Sequence, residues 1–198
     1  MERIITIGRE YGSGGREIGR RLAEKLQFAF FDYQIVTELA KRTAFAEEYI
    51  LSIQEKRPYP VLPVPTVRMW APPNPMLDQH LEVFLKESEV IRDMADKAPC
   101  VIVGRCADFI LKDQPDCLHI FIHSDMAHRA ARVRERYGET SKPMEKRLQE
   151  KDSKRKVYYK HYTNRNWGEA ENYDVCLDSG TLGVDKCVEI VCDIAQMK

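Results

Sequence analysis

The sequence predicts a three-layer α/β/α domain built on a five-stranded parallel sheet, and three observations carry that expectation. Five short apolar runs recur along the chain, at 4–7, 28–31, 99–103, 118–122 and 173–179. Helix-period segments separate them, and strands alternating with helices make parallel βαβ units. The first run breaks into a loop rich in glycine (Gly8, Gly12, Gly14, Gly15) that feeds directly into a helix. At 198 residues the chain suits a single domain, 1–198, with an inserted lobe.

After those glycines, Ile18, Leu22 and Leu26 return every four residues, laying one apolar face along a helix. Strand, glycine loop and helix together aim backbone N–H groups and a helix N-terminus at an anion, phosphate above all. Gly12, Ser13, Gly14, Gly15, Arg16 and Glu17 are therefore the candidate phosphate binders. The spacing departs from G-x-x-x-x-G-K-[ST]: Gly15 stands at the lysine position, and Arg16 follows it. Arg16 is expected to supply the missing cation. No protein cluster suggests a metal site, so magnesium would arrive on a nucleotide, with Ser13, Glu17 and Asp32 as candidate ligands.

The second run ends in Asp32, just before the helical period of Ile35, Val36, Leu39 and Ala40. An acid at the carboxyl end of a parallel strand lies at the ligand-binding edge of the sheet. Asp32 there would orient magnesium or accept a substrate proton; the alternative is a plain helix cap. Between Glu55 and Pro75 seven prolines exclude helix and interior strand. Yet Val61, Leu62, Val64, Val67, Met69 and Trp70 are too apolar for a solvated linker. The expectation is an ordered acceptor-side insert (55–95), with Val61 to Trp70 buried against the acceptor site or a second subunit of a homo-oligomer. Leu77, Leu81, Phe84, Leu85 and residues 88–91 resume a helical period.

The run at 99–103 is apolar on both faces, as a central parallel strand must be. It closes in Gly104-Arg105, whose planar guanidinium at the sheet edge suits phosphate. After the fourth run Asp125 opens a helix carrying Arg129, Arg132, Arg134 and Arg136. Arg129 and Arg132 share a face and are candidates for the crevice, while Arg134 is read as solvated. Residues 141–166 hold nine Lys or Arg against three acids, interleaved with Tyr158, Tyr159 and Tyr162. A basic lid (138–166) closing over phosphates accounts for them, since phosphoryl transfer needs cations and exclusion of water. With 31 basic and 31 acidic residues, the chain has no overall field for nucleic acid. The fifth run is followed by Gly183-Val184-Asp185 and an amphipathic helix carrying Cys187, Val188, Ile190, Val191 and Ile194.

The six cysteines show no C-x-x-C pair and no metal-finger spacing. Cys100, Cys117, Cys176 and Cys192 lie in or beside apolar runs and are expected in the core. The first residues lack the order of a signal peptide, and no apolar run reaches membrane-span length. The expected setting is cytoplasmic and reducing, without contact with membrane.

Taken in order, G-S-G-G-R-E, the run ending at Asp32, C-V-I-V-G-R-C-A-D, L-H-I-F-I-H-S-D-M-A-H-R, Lys151-Asp152-Ser153-Lys154-Arg155 and Y-D-V-C-L-D-S-G-T-L-G cover nearly the whole chain. Together they resemble the cytidylate-kinase-like family of the P-loop nucleoside-monophosphate kinases. The resemblance implies a P-loop kinase fold and transfer of the γ-phosphoryl of ATP, with Mg2+, to a nucleoside monophosphate, CMP being one candidate. It implies Arg105 on the acceptor phosphate, and Asp152 and Arg155, with Arg147 and Lys151 nearby, at the lid. Where those enzymes read Gly-Arg-Asp, this chain reads Gly104-Arg105-Cys106, with Asp108 the nearest acid. The proline-rich stretch does not resemble their cytidine-selecting insert. Two other readings stand beside this one: a kinase of another small-molecule hydroxyl with Asp32 as base, and a nucleotide-binding protein without catalysis. The residues expected to act in catalysis are Arg16, Asp32 and Arg155.

Overall fold

The computed structural model describes residues 3–55, 75–138 and 143–197. Five strands form one parallel sheet: β1 (Ile4–Arg9), β2 (Ala29–Phe31), β3 (Cys100–Val103), β4 (Cys117–His123) and β5 (Val175–Asp178). Their spatial order is β2-β3-β1-β4-β5, so β1 is central. It pairs with β3 from Ile4–Cys100 to Ile7–Val103, and with β4 from Ile4–Cys117 to Arg9–Ile122. The expected three-layer architecture is found.

Strand side chains alternate between faces, and this alternation divides the core in two. Ile5, Ile7, Val101, Val103, Ile120 and Ile122 point to one side. There they meet Ile18 and Leu22 of α1 (Gly15–Leu26) and Val188 and Val191 of α8 (Ser179–Gln196). Ile4, Cys100 and Ile102 point to the other, against α2 (Gln34–Arg42), α3 (Glu47–Glu55) and α4 (Pro75–Lys97). Ile18 and Leu22 are fully buried, and burying each such side chain contributes roughly 1.5–3 kcal/mol.

The remaining helices stand at the carboxyl edge of the sheet: α5 (Ala107–Ile110), α6 (Met126–Tyr137) and α7 (Met144–Thr163). Asp125 caps α6, its carboxylate accepting from the His128 N–H at 2.9 Å. The basic segment expected as a lid contains the 20-residue α7. This helix buries Leu148, Asp152, Tyr158 and Tyr159, the two tyrosines within the same core as Ile4 and Ile102.

Several expectations are corrected. Helix α3 was not anticipated, because its inward side is marked by little more than Ile50 and Ile53. A short helical turn from Ser179, capped by Asp178, precedes the break at Gly183 (φ 76°), and the helix carrying Cys187 and Val191 follows that glycine as expected. Cys176 is exposed on the edge strand β5, whereas Cys106 and Cys187 are buried. The proline-rich stretch 56–74, with the expected burial of Val61 to Trp70, lies outside the described residues. Among the described residues no helix is long and apolar enough to cross a membrane.

Candidate active site

The carboxyl edge of the sheet carries two Gly-Arg steps side by side. Gly8-Arg9 ends β1 and Gly104-Arg105 follows β3, and the Gly104 N–H donates to the Ile7 carbonyl at 2.9 Å. Gly104, Arg105 and Cys106 have φ of 79°, 59° and 53° in succession. For the two non-glycine residues this left-handed backbone costs about 1–2 kcal/mol each. Such strain is typically held at functional sites.

The glycine loop after β1 opens α1 at Gly14, which caps the helix in the left-handed region (φ 82°) and supplies no side-chain acceptor. First-turn N–H groups have no partners within a helix. Those of α1 face the same cavity as Gly12, Gly14 and Gly15, and it has a volume of about 420 Å3. Arg9, Arg16, Asp32, Arg132 and Arg155 also line it.

A second cavity of about 320 Å3 lies beside the first, between Gly104-Arg105 and α7. Tyr158, Tyr159 and Trp167 give it flat apolar walls, and Asp108, Lys151 and Lys154 give it polar ones. The two cavities share Arg9, Tyr11 and Arg155.

The wall between them is made of two arginines and Tyr11. Arg155 donates from Nη1 to the Arg9 carbonyl at 3.0 Å. The Arg9 guanidinium lies 4.0 Å from Asp32, whose other oxygen is 2.5 Å from Arg16 Nε. Burial, and then the neighbouring Arg155, push the Arg9 pKa down to about 9; burial also lowers that of Arg155. Arg105 donates from Nη1 to the fully buried Glu87 at 2.6 Å and from Nε to the Asp32 carbonyl at 3.3 Å. Tyr158 also donates to Glu87, at 3.2 Å.

The loop is clamped from behind by Asp152. Its carboxylate accepts from the Tyr11 N–H at 2.8 Å and from Arg129 Nη1 at 2.5 Å. Asp108 is buried, accepts from the Tyr159 hydroxyl at 2.5 Å, and has its pKa raised chiefly by that burial.

These contacts sort the residues singled out from sequence. Asp32, Arg16 and Arg132 line the first cavity, Arg105, Asp108 and Lys151 the second, and Arg155 both. Asp32 is not the cap of α2, whose N-cap is Tyr33. Arg129 and Asp152 pair with each other and brace the loop instead of lining either cavity. Arg147 lies over the Tyr11 ring, 5.9 Å from its centroid.

Two candidate magnesium ligands do not fit. The Ser13 hydroxyl is buried and donates to the Glu10 carbonyl at 2.9 Å. Glu17 is held by Arg132 and Arg136, so its carboxylate is already neutralised. Among the described residues no group of three or more His, Cys, Asp or Glu side chains suits a metal ion.

Arg9, Tyr11 and Glu87 were not singled out from sequence. For Arg9 a signal was present, since the reasoning that picked out Arg105 at the end of its strand applies equally to the Gly-Arg that ends β1. Glu87 gave none, being one acid among several on a long helix.

A model of the cytidylate kinase-like family matches residues 4–181. A cytidylate kinase of Archaeoglobus fulgidus is 28% identical over 200 residues, covering 98% of this chain and 95% of that protein. Among solved structures, an uncharacterized protein from Eubacterium ventriosum superposes with a TM-score of 0.74 at 28% identity, covering 98% of this chain and 99% of that one. A shikimate kinase from Bacteroides thetaiotaomicron, at 10% identity and a TM-score of 0.58, covers 98% of each chain and shares the fold.

Proposed function

The chain belongs to the cytidylate kinase-like family, and we propose that it moves the γ-phosphoryl group of ATP to a nucleoside monophosphate, CMP before others. The observation that carries this reading is the pair of cavities with a common wall. One has the glycine loop and a helix N-terminus, which suit a nucleoside triphosphate. The other has Arg105 for a phosphate and Tyr158, Tyr159 and Trp167 for a flat ring. Two phosphate chains entering from opposite sides would meet at Arg9, Tyr11 and Arg155.

Phosphoryl transfer asks little covalent chemistry of a protein; positioning and charge stabilisation do most of the work. Here the first-turn N–H groups of α1 would hold the donor phosphates, Arg105 the acceptor phosphate, and Arg155 would come from α7 to the junction. Magnesium would be carried by the nucleotide. Ser13 and Glu17 are unavailable to it, and Asp32 faces the first cavity but is paired with Arg16.

The test is an ADP-release assay with magnesium and ATP across CMP, dCMP, UMP, AMP and GMP, with small hydroxy acids as a separate arm. Turnover with a pyrimidine monophosphate is expected. Turnover with hydroxy acids alone would replace this reading with a hydroxyl kinase using Asp32 as base. Binding of ATP by calorimetry without turnover on any acceptor would leave a nucleotide-binding protein.

A further inference from the structure

Resting on the phosphotransfer reading above, we infer that Arg9 is the cation that bridges donor and acceptor during transfer, in the role usually taken by a lysine of the glycine loop. Arg9 is the last residue of the central strand, and its side chain lines both cavities. Arg155 also lines both cavities, but its Nη1 donates to the Arg9 carbonyl and lies 3.8 Å from Asp152; the other arginines named for the site are held elsewhere or lie farther out. Arg16 is 65% exposed and sits on Asp32; Arg105 is committed to Glu87; Arg132 is held by Glu17.

The surroundings are shaped to the Arg9 side chain. A methyl group at Gly104 would lie 1.8 Å from Arg9 Nη1, and one at Gly15 would lie 2.5 Å from Arg9 Cβ. Gly104 thus leaves the space the guanidinium fills, and Gly15 the space for the start of the same side chain. Its backbone is fixed as well, through the sheet register with Ile122 and the bond from Arg155 to its carbonyl.

Electrostatically the position is unfinished. Arg9, Arg16, Arg105 and Arg155 gather round one edge, and among the described residues Asp32 is the only carboxylate within 4.0 Å of Arg9. Asp32 is at the same time much closer to Arg16. A partly buried cation set among other cations is poorly compensated until an anion completes the group. A triphosphate and a monophosphate entering from the two cavities would supply that charge.

In the step itself an oxygen of the acceptor phosphate forms a bond to the γ-phosphorus as the bond from that phosphorus to the β,γ-bridging oxygen breaks. The bridging oxygen keeps the electron pair and leaves on ADP. Arg9 gives up no proton. Its fork of N–H donors would hold an oxygen on each side of the moving group, where negative charge is greatest.

The experiment compares Arg9→Gln, Arg9→Lys and Arg16→Ala with the wild type, using CMP or whichever monophosphate the wild type accepts. Arg9→Gln is expected to lower kcat by about a hundredfold to a thousandfold, the scale of losing one preorganised donor. Binding of magnesium–ATP by calorimetry and the melting temperature should change little. Arg9→Lys should recover at most a small part, because an ammonium lacks the fork. Guanidinium ion added to Arg9→Gly should restore part of the lost rate, which a merely structural role would not allow. Wild-type kcat in Arg9→Gln, or losses in Arg16→Ala as large as in Arg9→Gln, would overturn the assignment. If Arg9→Gln fails to fold, wild-type kcat in Arg9→Lys or the absence of guanidinium rescue in Arg9→Gly would overturn it instead. A wild type without transfer on any acceptor would instead overturn the phosphotransfer reading, and the Arg9 role with it.

Discussion

Arg16 Nε lies 2.5 Å from Asp32 Oδ2, tying the first turn of α1 to the end of β2 across the mouth of the first cavity. The two partners differ sharply in exposure, 65% for Arg16 and 14% for Asp32. The pair therefore holds a nearly buried acid through a largely solvated base.

An ion pair so open to water contributes at most ~1 kcal/mol. Arg16→Ala is expected to lower kcat by no more than about fivefold and to leave the melting temperature nearly unchanged. Steady-state kinetics on the purified variant checks this. A hundredfold loss would show that Arg16 swings inward when nucleotide binds.

Asp152 joins three elements, since it receives the Tyr11 N–H from the glycine loop and Arg129 from α6 while standing on α7. Arg129 and Asp152 are 7% and 9% exposed. Removing one partner of a buried pair costs about 3–5 kcal/mol, because the other charge is stranded. Asp152→Asn should thus lower the melting temperature by roughly 6–20 °C. Hydrogen exchange should also show the Tyr11 amide losing protection, which a remote destabilisation would not single out.

Glu87 receives both Arg105 and Tyr158 and is fully buried. Glu87→Gln keeps its volume but removes the charge that aims Arg105. The expected outcome is a rise of about tenfold or more in KM for the acceptor, with KM for ATP within twofold of wild type, matching the 1–3 kcal/mol range for a lost charged hydrogen bond. Equal rises in both constants would show general loosening instead.

Burial raises the pKa of Asp108 above the ordinary carboxylate value. The folded protein then keeps a proton that the unfolded chain has already released, so stability falls as pH rises from about 4 towards the folded pKa. Asp108→Asn carries no charge to bury and still accepts from the Tyr159 hydroxyl. Melting curves from pH 4 to 8 should show the variant gaining on wild type as pH rises. Parallel curves would mean that Asp108 stays ionised throughout.

The sheet was legible because a central parallel strand must be apolar on both faces, and Ile4–Ile7 and Cys100–Val103 carry that pattern without interruption. The placement of Asp32 and Arg105 beside the cavities was legible for a related reason, since both stand just beyond strand ends. Arg9 obeyed the same rule, but it was absorbed into a glycine loop whose spacing drew attention to Arg16. Ser13 and Glu17 could not be sorted from composition, because a hydroxyl turned inward and one turned outward read alike in sequence. Cys176 was placed in the core since a strand's apolar neighbours do not reveal that it lies at a sheet edge. The Asp152–Arg129 clamp joins two helices and a loop far apart in the chain, and no local pattern announces it.

The central position of β1 also governs how the chain must come together. Ile4 has Cys100 on one side and Cys117 on the other, so neither neighbour is made until more than half the chain exists. Contacts this distant require large loops to close before they return any stabilisation, which slows folding. Until then the run Ile4–Ile7 is an unpaired apolar edge, open to wrong partners during synthesis. The strand that carries Arg9 to the site is made early and waits longest for its neighbours.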